Sequence, residues 1–205
     1  MVRAGFYFDG FNFYHAVDDL KQPHLKWVSY ARLARAVALA GHEVTFVKLF
    51  TALPFHSPQR LSRHKKFLDA QRIEGVTIIY GEFKERSRWC PECGKTPMVH
   101  EEKESDVNLA IHLLRDARLG LVDVAYLVTG DSDQAPAARM LRQDYPEIEL
   151  VAVNTPGRSH CKEILHAAND KKANVSAAVL EACVMEYEMV GEDGVVTICP
   201  FSYRR

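Results

Sequence analysis

The chain lacks any apolar stretch approaching the roughly 18 residues of a bilayer-spanning helix, so no membrane partner is expected. Its first residues, MVRAGFYFDGF, offer no apolar h-region and no small-residue cleavage site, and no signal peptide is expected. Cysteine is scarce: there are five, an odd number, and only Cys90 and Cys93 are close in sequence. That argues against a secreted disulfide framework and for a cytoplasmic protein with reduced thiols. An excess of one charge is missing too, with 26 Lys and Arg against 27 Asp and Glu. Such a balance neither suggests nor excludes a nucleic-acid partner, because a local patch decides that. There is no Walker A loop, no G-x-G-x-x-G and no G-x-S-x-G, which removes the main support for P-loop hydrolysis, dinucleotide binding and a serine nucleophile elbow. Internal repeats and long linkers are also lacking. With 47% hydrophobic and 26% charged residues, the chain is not disordered and can bury a full core.

What is present is alternation. Apolar runs at 4–8, 43–49, 76–80, 124–128 and 148–153 read as strands. Between them, 12–20, 29–41, 57–74, 102–119, 134–143 and 158–169 read as helices. Ser29 and Ser57 stand as caps, Pro58 at a first helical position, and Gly41 at a helix end. In 102–119, the spacing of Val107, Ala110, Ile111 and Leu114 marks the expected core face, with Asp106 at its rim. Short unbroken apolar strands alternating with helices predict an α/β fold with a mostly parallel sheet covered on both faces. Ligands of such sheets bind outside the carboxyl ends of the strands. The 205 residues suit one domain, 1–173, with a Cys-bearing insert at about 84–101 and an extension, 174–205, packed on it. Within the extension, GVVTICPF is read as an edge strand or a homodimer contact.

Carboxylates gather at the expected strand ends. Asp9 follows AGFYF, Asp131 and Asp133 follow VAYLV, and Asp106 lies near the start of the 102–119 helix. Taken singly, each has an ordinary explanation: a turn, a helix cap, or a first-turn acid favouring the dipole. Taken together at one edge, about 6 Å apart, they would repel by roughly 3 kcal/mol per pair at an effective dielectric near 20. No matching cluster of buried Arg or Lys is evident. A divalent cation would balance them, and oxygen-only donors favour Mg²⁺ or Mn²⁺ over Zn²⁺. The reaction class is then metal-assisted hydrolysis of a phosphate ester.

Three segments, Phe8-Asp9-Gly10-Phe11-Asn12, Glu102-Lys103-Glu104-Ser105-Asp106-Val107-Asn108-Leu109-Ala110 and Thr129-Gly130-Asp131-Ser132-Asp133, resemble in order and spacing the NYN domain family of the PIN-like nucleases. The resemblance runs from about residue 3 to 170. It implies a three-layer α/β/α sandwich and metal-dependent cleavage of RNA. The family's acids map onto Asp9, Asp106, Asp131 and Asp133, and its Asn onto Asn12. Ser132 falls where relatives carry Ser or Thr, as a group that holds a phosphate or a water. Glu104 departs from the motif, which usually has Gly there. Asp9 and Asp131 would hold the main metal, with Asp106 and Asp133 completing the site.

Cys90-Pro91-Glu92-Cys93-Gly94 has the spacing of half a structural zinc site, with His100 as a third ligand. A tight turn with two free thiols explains it equally well. Basic residues crowd two segments: Arg60, Arg63, Lys65 and Lys66 in the 57–74 helix, and Arg86 and Arg88 after the next strand. For an RNA enzyme these form a phosphate-tracking surface, with Trp89, Tyr80 or Phe55 as stacking platforms; otherwise they are solvated faces. Cys161, Cys183 and Cys199 read as buried thiols.

The reading is a Mg²⁺- or Mn²⁺-dependent endoribonuclease. Its rivals are a silent RNA- or protein-binding module on the same fold, and a phosphatase. The phosphatase chemistry of the haloacid dehalogenase type wants a second Asp two residues after the first, and Phe11 stands there instead.

Overall fold

Strand β1 (Val2–Asp9) is buried from Ala4 onward and lies at the centre of the sheet. The computed structural model describes residues 1–89, 91–92 and 94–205. From β1 the chain passes through α1 (Gly10–Asp19) and α2 (Tyr30–Val37) to β2 (His42–Thr51), then through α3 (Pro58–Ile73) to β3 (Thr77–Tyr80). A hairpin follows, β4 (Glu82–Ser87) and β5 (Met98–Lys103), and leads into α4 (Ser105–Arg118). The chain then builds the other half: β6 (Val124–Val128), α5 (Ala135–Asp144), β7 (Glu149–Val153), α6 (Lys162–Ala167) and β8 (Lys172–Ala173). It ends with α7 (Ala177–Ala182) and a second hairpin, β9 (Glu188–Val190) with β10 (Val196–Ile198).

The six-stranded sheet has the order β3-β2-β1-β6-β7-β8, and every pairing in it is parallel. Alternation along β1 divides two cores. Ala4, Phe6 and Phe8 face α1, α2 and α3, where they meet Phe13, Leu33 and Leu68. Tyr7 faces the opposite layer, with Leu109 and Leu113 of α4, Leu141 of α5 and Ile164 of α6. This is the expected three-layer α/β/α arrangement. The extension closes on the first core through Leu180, Met185, Met189 and Cys199.

Several expected elements differ. The helix expected at 102–119 begins only at Ser105, because Glu102 and Lys103 pair with Phe83 and Glu82 in the β4–β5 ladder. Its core face is also rotated: Leu109, Leu113 and Ala117 are buried, while Val107 and Ile111 are 60% and 55% exposed. Ser105 and Asp116 lie on the buried stripe, and these polar residues disguise it in the sequence. The helix expected at 158–169 shrinks to Lys162–Ala167. Asn154 holds the preceding loop open, donating to the carbonyl of Arg158 at 3.0 Å and accepting from the Val175 amide at 2.8 Å. Ser57 occupies the cap of α3 but makes no side-chain cap bond, whereas Ser29 accepts from the Arg32 amide at 3.1 Å. GVVTICPF contributes β10, which pairs antiparallel with β9 in a separate two-stranded sheet and not on the edge of the main one. Cys183 and Cys199 are buried as expected, but Cys161 is only partly so. Among the described residues, no helix is long and apolar enough to cross a membrane.

Candidate active site

The strand order reverses between β1 and β6, so the connections leaving these two neighbours diverge and open a crevice at their carboxyl ends. Asp9 is the last residue of β1, and Thr129 follows β6 directly. The two ends are tied by side chains. Asp9 is 6% exposed. One of its carboxylate oxygens caps α1 by accepting from the Asn12 amide at 3.0 Å, and the other accepts from the Thr129 hydroxyl at 2.7 Å. Thr129 Oγ1 in turn accepts from the Asp131 amide at 3.0 Å. Asn12 Oδ1 accepts from the Gly130 amide at 2.9 Å, which clamps α1 to the turn after β6. Asp131 caps the 3₁₀ turn Ser132–Gln134, accepting from the Asp133 amide at 2.9 Å. Gly10 is required by close approach: a Cβ there would stand 2.5 Å from the carbonyl oxygen of Phe50.

Asp106 joins the group from the first turn of α4. Its backbone carbonyl accepts from Gln134 Nε2 at 3.1 Å, which fixes α4 against the same turn. Electrostatics place the acids in one field. Burial pushes the Asp9 carboxyl up to about 6, against the lowering influence of the Asn12 amide and Thr129 hydroxyl, and Asp106 and Asp131 push the same way. Asp106 is raised by desolvation first, then by Glu102, Asp131 and Asp133. Among the described residues, no lysine or arginine forms an ion pair with Asp9, Asp106, Asp131 or Asp133. Among the described residues, three buried side-chain atoms lack a hydrogen-bond partner, Ser105 Oγ, Gln134 Oε1 and Thr155 Oγ1. Gln134 and Thr155 lie on the segments that follow β6 and β7, and Ser105 opens α4 after the β4–β5 hairpin.

Among the described residues the donor set suits a hard divalent cation: carboxylate oxygens in excess, with no thiolate and no ion-paired lysine or arginine beside them. Among the described residues, no three acidic, imidazole or thiol groups already stand at the spacing of a closed metal cage. A cation held here would therefore take one or two carboxylates directly, with water in its remaining positions.

The remaining expected residues divide. Ser132 and Asp133 are exposed on the 3₁₀ turn. Arg60 and Arg63 line a groove beside Gly10 and Phe11, whereas Lys65 and Lys66 are exposed outside it. Arg86 faces Glu101 at 3.6 Å, and Arg88 lies past the end of β4, its amide donating to the Pro97 carbonyl. Trp89 and Phe55 are exposed, while the Tyr80 hydroxyl accepts from Arg72 at 2.5 Å. His100 pairs across the hairpin with Glu85, and its ring stacks on His56. Cys90 and Cys93, the remainder of the expected zinc half-site, lie outside the described residues. Thr129, Glu102 and Gln134 escaped the sequence reading. Glu102 and Thr129 left a signal there only as the residues that open their motifs, and Gln134 left none.

The sequence profile of the NYN domain matches residues 3–172. A curated relative, 6-hydroxy-3-succinoylpyridine 3-monooxygenase HspA of Pseudomonas putida (strain DSM 28022 / S16), is 31% identical over 169 residues, covering 80% of this chain and 53% of that protein. The chain therefore spans about half the length of this relative. A crystal structure of a protein of unknown function from Vibrio parahaemolyticus superposes with a TM-score of 0.60 at 18% identity, over 86% of this chain and 94% of the other, a likeness of fold alone.

Proposed function

We propose that this chain, which belongs to the NYN domain family and so to the PIN-like nuclease superfamily, is a metal-dependent endoribonuclease. The observation that carries the reading is the unbalanced carboxylate field at the switch point of the sheet, shared by Asp9, Asp106 and Asp131. Asp9 and Asp131 each keep lone pairs beyond those used in capping and would hold Mg²⁺ or Mn²⁺, with Asp106 and Asp133 completing the site. When bound, the cation supplies charge neutralisation at the phosphate and a water of lowered pKa. Asn12 spends its oxygen on Gly130 and retains its NH₂ to orient the scissile phosphate. Ser132, exposed at the start of the 3₁₀ turn, offers a second donor. Arg60 and Arg63 would track the RNA backbone, with Lys65, Lys66, Arg86 and Arg88 as outer contacts. Residues 1–173 form the nuclease domain in this reading, and 174–205 brace it.

Labelled RNA incubated with Mn²⁺ or with EDTA tests the proposal. Cleavage should require the metal, and Asp131→Asn, which preserves the cap, should reduce it by at least about 100-fold at unchanged fold. Cleavage in EDTA, hydrolysis of a small phosphomonoester in place of RNA, or a fully active Asp131→Asn would overturn it. A second reading, oxygenation of a hydroxypyridine acid, is favoured only by the name of the 31%-identical relative. Incubation of the protein with such a substrate, O₂ and a two-electron reductant of the nicotinamide class separates the two.

A further inference from the structure

An open groove of about 580 Å³ runs between α3 and the β4–β5 hairpin, within the roughly 300–1,000 Å³ typical of small-ligand sites. It passes beside the acid cluster, whose four carboxylates do not themselves line it. Gly10, the neighbour of Asp9, lines it, as does Glu102, whose charge bears on Asp106. Its walls are of another chemical kind. Arg60 and Arg63 come from α3, His56 from the segment before it, and Phe83 and His100 from the hairpin. The rings of His56 and His100 lie parallel, 6° apart with centroids at 4.2 Å. Phe83 meets Phe11 edge-on at 5.8 Å and His56 at 5.1 Å. Flat rings lining one groove with two guanidinium groups suit a ligand that is planar at one end and anionic at the other. The acids alongside fix which ligand: one whose anion continues toward a cation-dependent cleavage site.

We propose that this groove is a one-nucleotide subsite. It holds an unpaired nucleotide next to the scissile phosphate, with the base on Phe83 and the His56–His100 stack and the flanking phosphate on Arg60 and Arg63. The inference rests on the phosphodiesterase reading above. It makes the β4–β5 hairpin, and not the α/β core, the element that selects substrate. A paired base has no free face to offer these rings, so the groove discriminates against duplex.

The test is binding without turnover. A short fluorescent single-stranded RNA and its duplex are titrated with the protein in EDTA. The single strand should bind at least about tenfold tighter than the duplex. Phe83→Leu, which keeps apolar bulk and removes the ring, should weaken binding by about 5- to 150-fold, the range of one lost base stack. Arg60→Ala and Arg63→Ala should each weaken binding and reduce the slope of log K against log salt by about 0.7. Arg118→Ala, at the far end of α4, should change nothing, and circular dichroism melts establish that each variant is folded. Unchanged affinity in the three folded groove variants, or equal binding of duplex, overturns the subsite. The two readings fail separately. Strand binding with no Mn²⁺-dependent cutting sinks the nuclease and leaves the groove. Cutting with KM unmoved in the groove variants sinks the groove and leaves the nuclease.

Discussion

Glu104 stands at φ 76°, ψ −22°, the left-handed conformation, at the junction of β5 and α4. The family motif usually carries glycine here, and the geometry gives the reason: the chain must turn sharply out of the hairpin ladder into the helix. A side chain in this conformation costs roughly 1–2 kcal/mol. Glu104→Gly should therefore stabilise the protein by about 1 kcal/mol, read as a higher urea midpoint at unchanged slope. At this scale Asp9, Asp131 and Asp133 stood out because carboxylates at the ends of apolar runs are conspicuous, and Asp106 because its motif resembles the family's. Thr129 and Gln134 did not, since a neutral side chain shows its role only through what it touches. Asp116, near the end of α4, is fully buried, accepting from the Tyr7 hydroxyl at 3.0 Å and paired with Lys48.

That pair governs how an element docks. Lys48 of β2 lies over the rings of Phe46 and Tyr7 and reaches Asp116, so α4 is held to the sheet by one charged contact amid apolar packing. Removing one partner leaves the other charge uncompensated. Lys48→Met alone should cost about 3–5 kcal/mol, while Lys48→Met with Asp116→Leu should recover most of that. A double-mutant cycle by chemical denaturation measures it, and additive losses would show that the two side chains act independently. Elements were legible where burial wrote an unbroken pattern, as in β6, VAYLV, buried at every position. The β4–β5 hairpin was illegible because EFKERS and MVHEEK are rich in charge and contain no buried position, so no apolar pattern announces the ladder that pairs them.

Over the whole molecule the net charge of −1 conceals a separation. A negative crevice adjoins a groove walled by arginines and imidazoles. At the groove's floor, burial holds His64 down to about 4 from its ordinary 6.5, and its ring lies 3.1 Å from the Thr51 hydroxyl. Below pH 6.5 the unfolded chain binds a proton there that the folded chain refuses until about pH 4. The contribution of neutral His64 is thus complete above 6.5 and lost as pH falls toward 4, by roughly 3 kcal/mol at most. Asp9, raised to about 6, slopes the opposite way over much of that window, so the wild-type profile is shallow in EDTA. The difference in unfolding free energy between wild type and His64→Gln should nevertheless climb from pH 4 to 6.5 and then level; a flat difference would mean that His64 is protonated in the fold.

Asp9 and Asp131 each start a turn of the backbone as well as facing the crevice. A lineage that abandoned chemistry would still need something at both places to begin those turns, so the motif would outlive the activity. Asparagine begins a helix as well as aspartate does but cannot serve as an anionic ligand. Among descendants of this fold, an Asp-to-Asn exchange at either position would therefore be the earliest mark of retirement.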